Sequence, residues 1–202
     1  MYLSMYLRRA SGLLAVAWSA TGCVRHSRPS ATDGAVPERH ASGCAAVAAA
    51  VDSLVPRGTS TRLALAESSA VLPARAYTEL PSTIPGLDAT TWATFEARSR
   101  ARGPACSALP GGRPVVLVRD SVLRMLPRTD PEAYWTAFRR RFPEATGLTS
   151  VSAVGESADG RQALLVVNHA CGGLCGWGYV VLLGRASGDA WSVRYARMLW
   201  VS

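Results

Sequence analysis

Apolar positions along this chain change their period from one stretch to the next, and those changes mark out its elements. Between Gly43 and Leu54, the residues Cys44, Val47, Val51 and Leu54 recur at spacings of three and four, the signature of one helical face. Ser42 is placed to cap that helix, and Pro56-Arg57-Gly58 ends it. Thr61 to Ala66 alternates, with Leu63 and Leu65 on one side, and predicts a strand. Leu72 to Leu87 carries Pro73, Pro81, Pro85 and Gly86 and predicts irregular chain. Thr90 or Thr91 opens a second helix with Trp92 and Phe95 facing inward. It fades into Arg98, Arg100 and Arg102 before Gly103-Pro104, and Val115 to Val118 reads as a buried strand.

Asp130-Pro131-Glu132 is a helix start: a capping side chain, a proline whose missing N–H costs nothing there, and an acid in the first turn. Tyr134, Phe138 and Phe142 repeat every four residues, Trp135 widens the stripe, and Pro143 stops it. An aromatic stripe at this spacing is core. Beyond it the pattern becomes strand-like: Leu148–Gly155, Ala163–His169, Tyr179–Leu183 and Trp191–Val201, with turn signals at Asp159-Gly160 and Ser187-Gly188-Asp189. The pattern predicts an α+β fold, with N-terminal helices followed by a helix packed on a C-terminal four-stranded antiparallel meander.

The first residues read differently. Arg8 and Arg9 precede an apolar run, Gly12 to Ala20, of roughly nine residues, short of the ~20 that span a bilayer and suited to a signal peptide. Ala20-Thr21-Gly22-Cys23 is similar to a bacterial lipobox, with Ala20 standing where leucine is preferred. Residues 1–22 are therefore expected to be a lipoprotein-type signal peptide and Cys23 the lipidated residue. Residues 23–42, polar and small with His26, Pro29, Pro37 and His40, are expected to form a flexible tether to a single domain over 43–202, best defined over 130–202. This places the protein at the bacterial cell envelope, with a soluble periplasmic or secreted form as the alternative. Composition adds little to this. The net charge of +8 comes from arginine alone, without lysine, and Ile84, Gln162 and Asn168 are each the only residue of their type. That is the mark of GC-rich codon usage. The basic residues are scattered, so a nucleic-acid partner is disfavoured.

Reactive residue types concentrate between Asn168 and Tyr179, which holds His169, Cys171, Gly172, Gly173, Cys175, Gly176, Trp177 and Gly178. With Cys23 lipidated, Cys44, Cys106, Cys171 and Cys175 form an even set in an exported chain, which reads first as disulfides. Three pairings are possible, and Cys171–Cys175 with Cys44–Cys106 is preferred. The first would staple a glycine-rich connection whose glycines supply positive φ. Competing chemistries are a His169/Cys171 dyad for acyl transfer, zinc on His169, Cys171 and Cys175, and a redox pair. The dyad lacks an identifiable orienting Asn or Asp, the zinc set lacks a fourth ligand, and Cys-x3-Cys departs from the spacing that activates a thiol. No catalytic residue, metal or cofactor is therefore assigned. A binding loop made of His169, Gly172, Gly173 and Trp177 needs no catalysis: glycine amides would cradle an anion, and Trp177 would offer its ring to a peptide or glycan.

The C-terminal part of the chain resembles a family of uncharacterised bacterial exported proteins. The resemblance rests on Trp135-x-x-Phe138, Phe142-Pro143, Gly147, Ser152, Gly155 and Gln162-Ala163-Leu164. It continues through Cys171-Gly172-Gly173-Leu174-Cys175-Gly176-x-Gly178-Tyr179, Trp191-x-Val193 and Trp200-Val201-Ser202. It covers about 130–202 and implies an exported α+β domain without an established activity. The functional expectation is a lipid-anchored, non-catalytic binding or assembly-support module whose partner is an envelope protein or small ligand. The alternative is a small envelope hydrolase or thiol enzyme centred on His169 and Cys171.

Overall fold

A computed structural model describes residues 35–56, 62–101, 106, 108–111, 113–186 and 190–202. The expected signal peptide, Cys23, most of the expected tether and the Ser187-Gly188-Asp189 turn lie outside the described residues. Among the described residues no helix is long and apolar enough to cross a membrane.

The first helix, α1, spans Ala35–Leu54. It starts earlier than the capping signal at Ser42 suggested, so Ala35 to Ser42, expected in the tether, are its first turns. Pro37 is no obstacle there, because the first N–H groups of a helix have no intrahelical partner. Ala46, Val47, Ala50 and Val51 are all buried to 1% exposure or less, so the alanine-rich face lies flat on the sheet. The helix ends against Arg113, whose guanidinium donates to the Val55 and Pro56 carbonyls at 3.0 and 3.1 Å and lies 3.7 Å from Asp52. A cation on the carbonyls just past the last turn satisfies acceptors that the helix itself cannot.

The strands are β1 (Leu63–Ala66), β2 (Val115–Val118), β3 (Leu148–Val151), β4 (Gly155–Glu156), β5 (Gln162–Gly172), β6 (Cys175–Gly184) and β7 (Ser192–Val201). They form one seven-stranded sheet in the order β2-β1-β3-β5-β6-β7, with β4 also paired to β5. The fold is α+β, but the sheet is larger than the expected meander and mixed. β1 runs parallel to both β2 and β3, while β3, β5, β6 and β7 pair antiparallel in succession. The expected first meander strand is also broken in two. The ladder ends at Ser152, whose N–H still donates to the Val166 carbonyl at 2.9 Å while its hydroxyl accepts from the Val166 N–H at 2.8 Å, and the chain re-enters as β4 beneath a helix.

Both sheet faces are covered, which explains why Ala163 to Val167 is a continuous apolar run. Leu165 and Val167 face α1 together with Leu63, Leu65, Val181 and Leu183. Alternate residues Leu164, Val166, Val180 and Leu182 face the other way. There they meet α2 (Ala74–Glu79), a 3₁₀ turn at Pro81–Thr83, and α3 (Ala89–Ala101), where Phe95 is wholly buried. The stretch expected to be irregular thus contains a short helix after Pro73. Asp88, rather than Thr90 or Thr91, caps α3 by accepting from both of their N–H groups. On this second face, after α4 (Asp120–Met125), α5 (Pro131–Arg141) covers Ala64, Val118 and Leu148. The Asp130 carboxylate accepts from the Glu132 N–H at 2.9 Å, and Trp135 and Phe138 are buried, as the helix start and stripe predict. The result is three layers with the sheet in the middle.

Candidate functional site

The Cys/Gly segment is less of a loop than its composition suggests. β5 and β6 run almost to each other, joined by a turn at Gly173-Leu174, and Gly172 pairs with Cys175. The register shifts between Ala170 and Gly172, a bulge that takes in Cys171. Sulfur atoms are bonded in two pairs, Cys171–Cys175 and Cys44–Cys106, with Cα separations of 5.1 and 5.6 Å. The first staples the hairpin tip, where Leu174 is 91% exposed. The second ties α1 to the chain beyond α3. The glycines here are not needed for positive φ: the described glycines with that backbone are Gly86, Gly111 and Gly160. At Gly172 and Gly173 the alternating-hand backbone of an αR-αL anion nest is accordingly not formed.

Strand alternation separates the remaining candidates onto two faces. On the α1 face, His169 is 4% exposed and sits opposite Thr149 in the ladder, its Nδ1 3.0 Å from the Thr149 hydroxyl. Its ring packs 5.5 Å from that of Trp177, which in turn meets Tyr179 edge-on at 5.4 Å. Burial lowers the His169 pKa, and the nearby Arg113 charge lowers it further, so the imidazole is held neutral at pH 7. Gly147 makes room for that ring. A Cβ at Gly147 would fall 2.9 Å from Cε1 and Nε2 of His169, and closer still to the Ala170 carbonyl oxygen. His169 is thus a packed strand residue. Cys171, its partner in the competing dyad reading, is bonded to Cys175, which leaves no thiol at that position in the oxidised chain. Among the described residues no group of three or more His, Cys, Asp or Glu side chains is placed to hold a metal ion. Trp177 is half-buried against the same packing, so it is not the free aromatic platform expected of it.

The exposed ring belongs to Trp200, on the opposite face. Gly178 pairs with Trp200 in the β6–β7 ladder, and Gly176 lies two residues away on the same face. Both glycines are buried beneath the indole. A Cβ at Gly178 would overlap Trp200 Nε1 and Asn168 Oδ1, and one at Gly176 would press on the six-membered ring at 3.1–3.2 Å. The indole Nε1–H donates to Asn168 Oδ1 at 3.0 Å, and the Ser202 N–H donates to the Gly176 carbonyl at 3.0 Å. Three features of the sequence therefore have one purpose: the Gly-x-Gly in β6, the single asparagine of the chain, and the closing tryptophan hold an indole flat, with 41% of the residue exposed.

That indole borders a groove of about 310 Å³ between β7 and the start of α2. Its apolar lining includes Leu72, Pro73, Ala76, Leu80 and Met198, while Arg75, Glu79 and Arg197 stand among the charged residues around it. The sequence placed Trp200 in a motif but not in a site. The legible signal was two glycines at i and i+2 in a strand, which marks a surface another group must approach closely. Compared with known proteins, the chain matches no family model, no curated protein and no solved structure.

Proposed function

We propose that this chain is a non-catalytic binding module of the bacterial cell envelope. In this reading it is exported, held at the membrane by a lipid on Cys23, and grips an extended, apolar-rich peptide segment of an envelope partner in the Trp200 groove. The observation that carries the binding role is an indole locked in plane by Asn168 and two glycines, yet open to solvent beside an apolar groove. A pre-positioned tryptophan offers large contact area at small entropic cost, which is why such residues dominate binding energetics. An extended peptide suits the site because β7 ends the sheet, so its outward backbone groups are available to a further strand. The disulfides agree with an oxidising compartment.

Selection of displayed random peptides against the wild-type chain tests the binding role. Peptides enriched on the wild type should bind the Trp200→Ala chain at least tenfold more weakly while its melting temperature stays close to wild type. Equal binding to both would end this reading. The anchor is tested separately: radiolabelled palmitate should enter the wild-type chain in a bacterial host and fail to enter Cys23→Ala. Equal labelling of the two would remove the lipid from the proposal without touching the groove.

A further inference from the structure

A second cavity lies at the other edge of the sheet. It measures about 520 Å³ and is bounded by β2, α4 and the chain that follows α5. This falls inside the range of roughly 300–1,000 Å³ common for small-molecule sites. Its apolar lining includes Val116, Val122 and Phe142, all half-buried, with Val116 and Phe142 resting on the cluster beneath α5. Its polar groups are chiefly cationic. Arg62, Arg119 and Arg141 line it against one carboxylate, Glu144, whose Oε2 is 2.9 Å from Arg62 Nε. Two guanidinium groups thus exceed the acidic charge of the lining. The backbone beneath both is fixed. Arg119 precedes α4, its carbonyl accepting from the Val122 and Leu123 N–H groups, and Arg141 closes α5 just before the Phe142 N–H bonds to the Phe138 carbonyl.

We infer that this cavity binds an amphiphilic anion, with Arg119 and Arg141 taking its carboxylate or phosphate and Val116, Val122 and Phe142 taking its apolar body. Guanidinium groups match such anions bidentately, whereas a wholly polar anion would leave the apolar floor unused. A neutral apolar ligand would in turn leave two cations beside it unanswered. A free fatty acid and an anionic membrane lipid share this chemistry. The site is separate from the Trp200 groove and stands or falls independently of it.

Calorimetric titration with decanoate, and co-sedimentation with phosphatidylcholine vesicles with or without phosphatidylglycerol, separate the two sources. Both use the full chain carrying Cys23→Ser, so that no acyl anchor contributes. Saturable decanoate binding that weakens at least tenfold in the Arg119→Gln/Arg141→Gln chain supports a free acid as ligand. Vesicle retention that requires phosphatidylglycerol and falls in the same double variant supports a lipid. A chain carrying Arg140→Gln and Arg161→Gln, matched in net charge but altered outside the cavity, should bind like wild type. Val122→Trp, which fills the floor and keeps both cations, should abolish decanoate binding while the circular dichroism spectrum stays native. The inference is overturned if neither probe binds, if the charge-matched control loses as much as the cavity variant, or if Val122→Trp binds as wild type does.

Discussion

At Gly178 a single hydrogen atom in place of a side chain decides whether Trp200 can lie flat. Gly178→Ala would put a methyl group where Trp200 Nε1 and Asn168 Oδ1 now meet, so the indole must lift and its hydrogen bond must break. Overpacking of this kind costs about 1–3 kcal/mol, and here the strain falls on an exposed ring that can move away. The expected outcome is a modest loss in urea stability, near the low end of that range, with a much larger loss of peptide binding. A variant that binds selected peptides as tightly as wild type would show that the ring's orientation is irrelevant. His169 makes a different prediction. Its folded pKa is lowered by burial and by the Arg113 charge, so below the unfolded value of about 6.5 the unfolded chain binds more protons than the folded one. The stability this group contributes is fully present above that value and is lost as pH falls from it toward the folded pKa. Denaturation midpoints at pH 7.5 and 5.5 should therefore differ more for wild type than for His169→Gln, which keeps a hydrogen-bonding group beside Thr149. Equal drops in both would assign the acid sensitivity elsewhere.

Among the elements, α1 depends on residues distant in the chain. The carbonyls that follow its last turn are satisfied by Arg113, a residue more than fifty positions further on, and Cys44 within it is bonded to Cys106 across a separation of 62. Arg113→Ala would strand the Val55 and Pro56 acceptors and is expected to cost about 2–4 kcal/mol in urea unfolding. Arg113→Lys should recover part of that cost but not all of it, since one ammonium cannot reproduce the forked geometry. The two disulfides should separate by loop length. Opening Cys44–Cys106 removes about 4 kcal/mol of chain restraint and opening Cys171–Cys175 about 2, so paired Cys→Ala variants should unfold in that order of severity. A reversed order would mean that the hairpin staple supports more than its own tip. These cases also explain what could be read in advance. α5 was legible because Asp130, Pro131 and Glu132 state its start locally. The start of α1 was not, because a short run of small and polar residues with Pro37 in its first turn looks the same in a tether and in a helix. Parallel pairing of β1 with β2 and β3 leaves no local mark at all, since it depends on which distant strand arrives beside it. The site split the same way. Its glycines and asparagine stood out by type, whereas their common service to Trp200 appears only once β6 and β7 are in register.

For the molecule as a whole, the consequence of covering both faces of the sheet is that the edges, β2 and β7, are what remain open. β2 is four residues long, and the arginine-lined cavity lies along it. β7 is ten residues long and carries exposed Met198, Trp200 and Val201, the profile of a strand that invites pairing with another copy. Two features restrain it. Its register against β6 shifts twice, between Gly178 and Tyr179 and between Leu182 and Leu183, so its free edge is not flat. Arg194 and Arg197 also stand exposed along it, and two copies brought edge to edge would oppose those charges. A peptide with acidic or neutral flanks meets no such repulsion, so the same device would admit the proposed partner while discouraging self-association. Arg194→Thr/Arg197→Thr should therefore sediment as a larger species than wild type at the same concentration, and high salt should move wild type in the same direction by screening the charges. If the variant sediments as wild type does across the accessible concentration range, the arginines do not guard the edge. The bulges alone would then have to account for its selectivity.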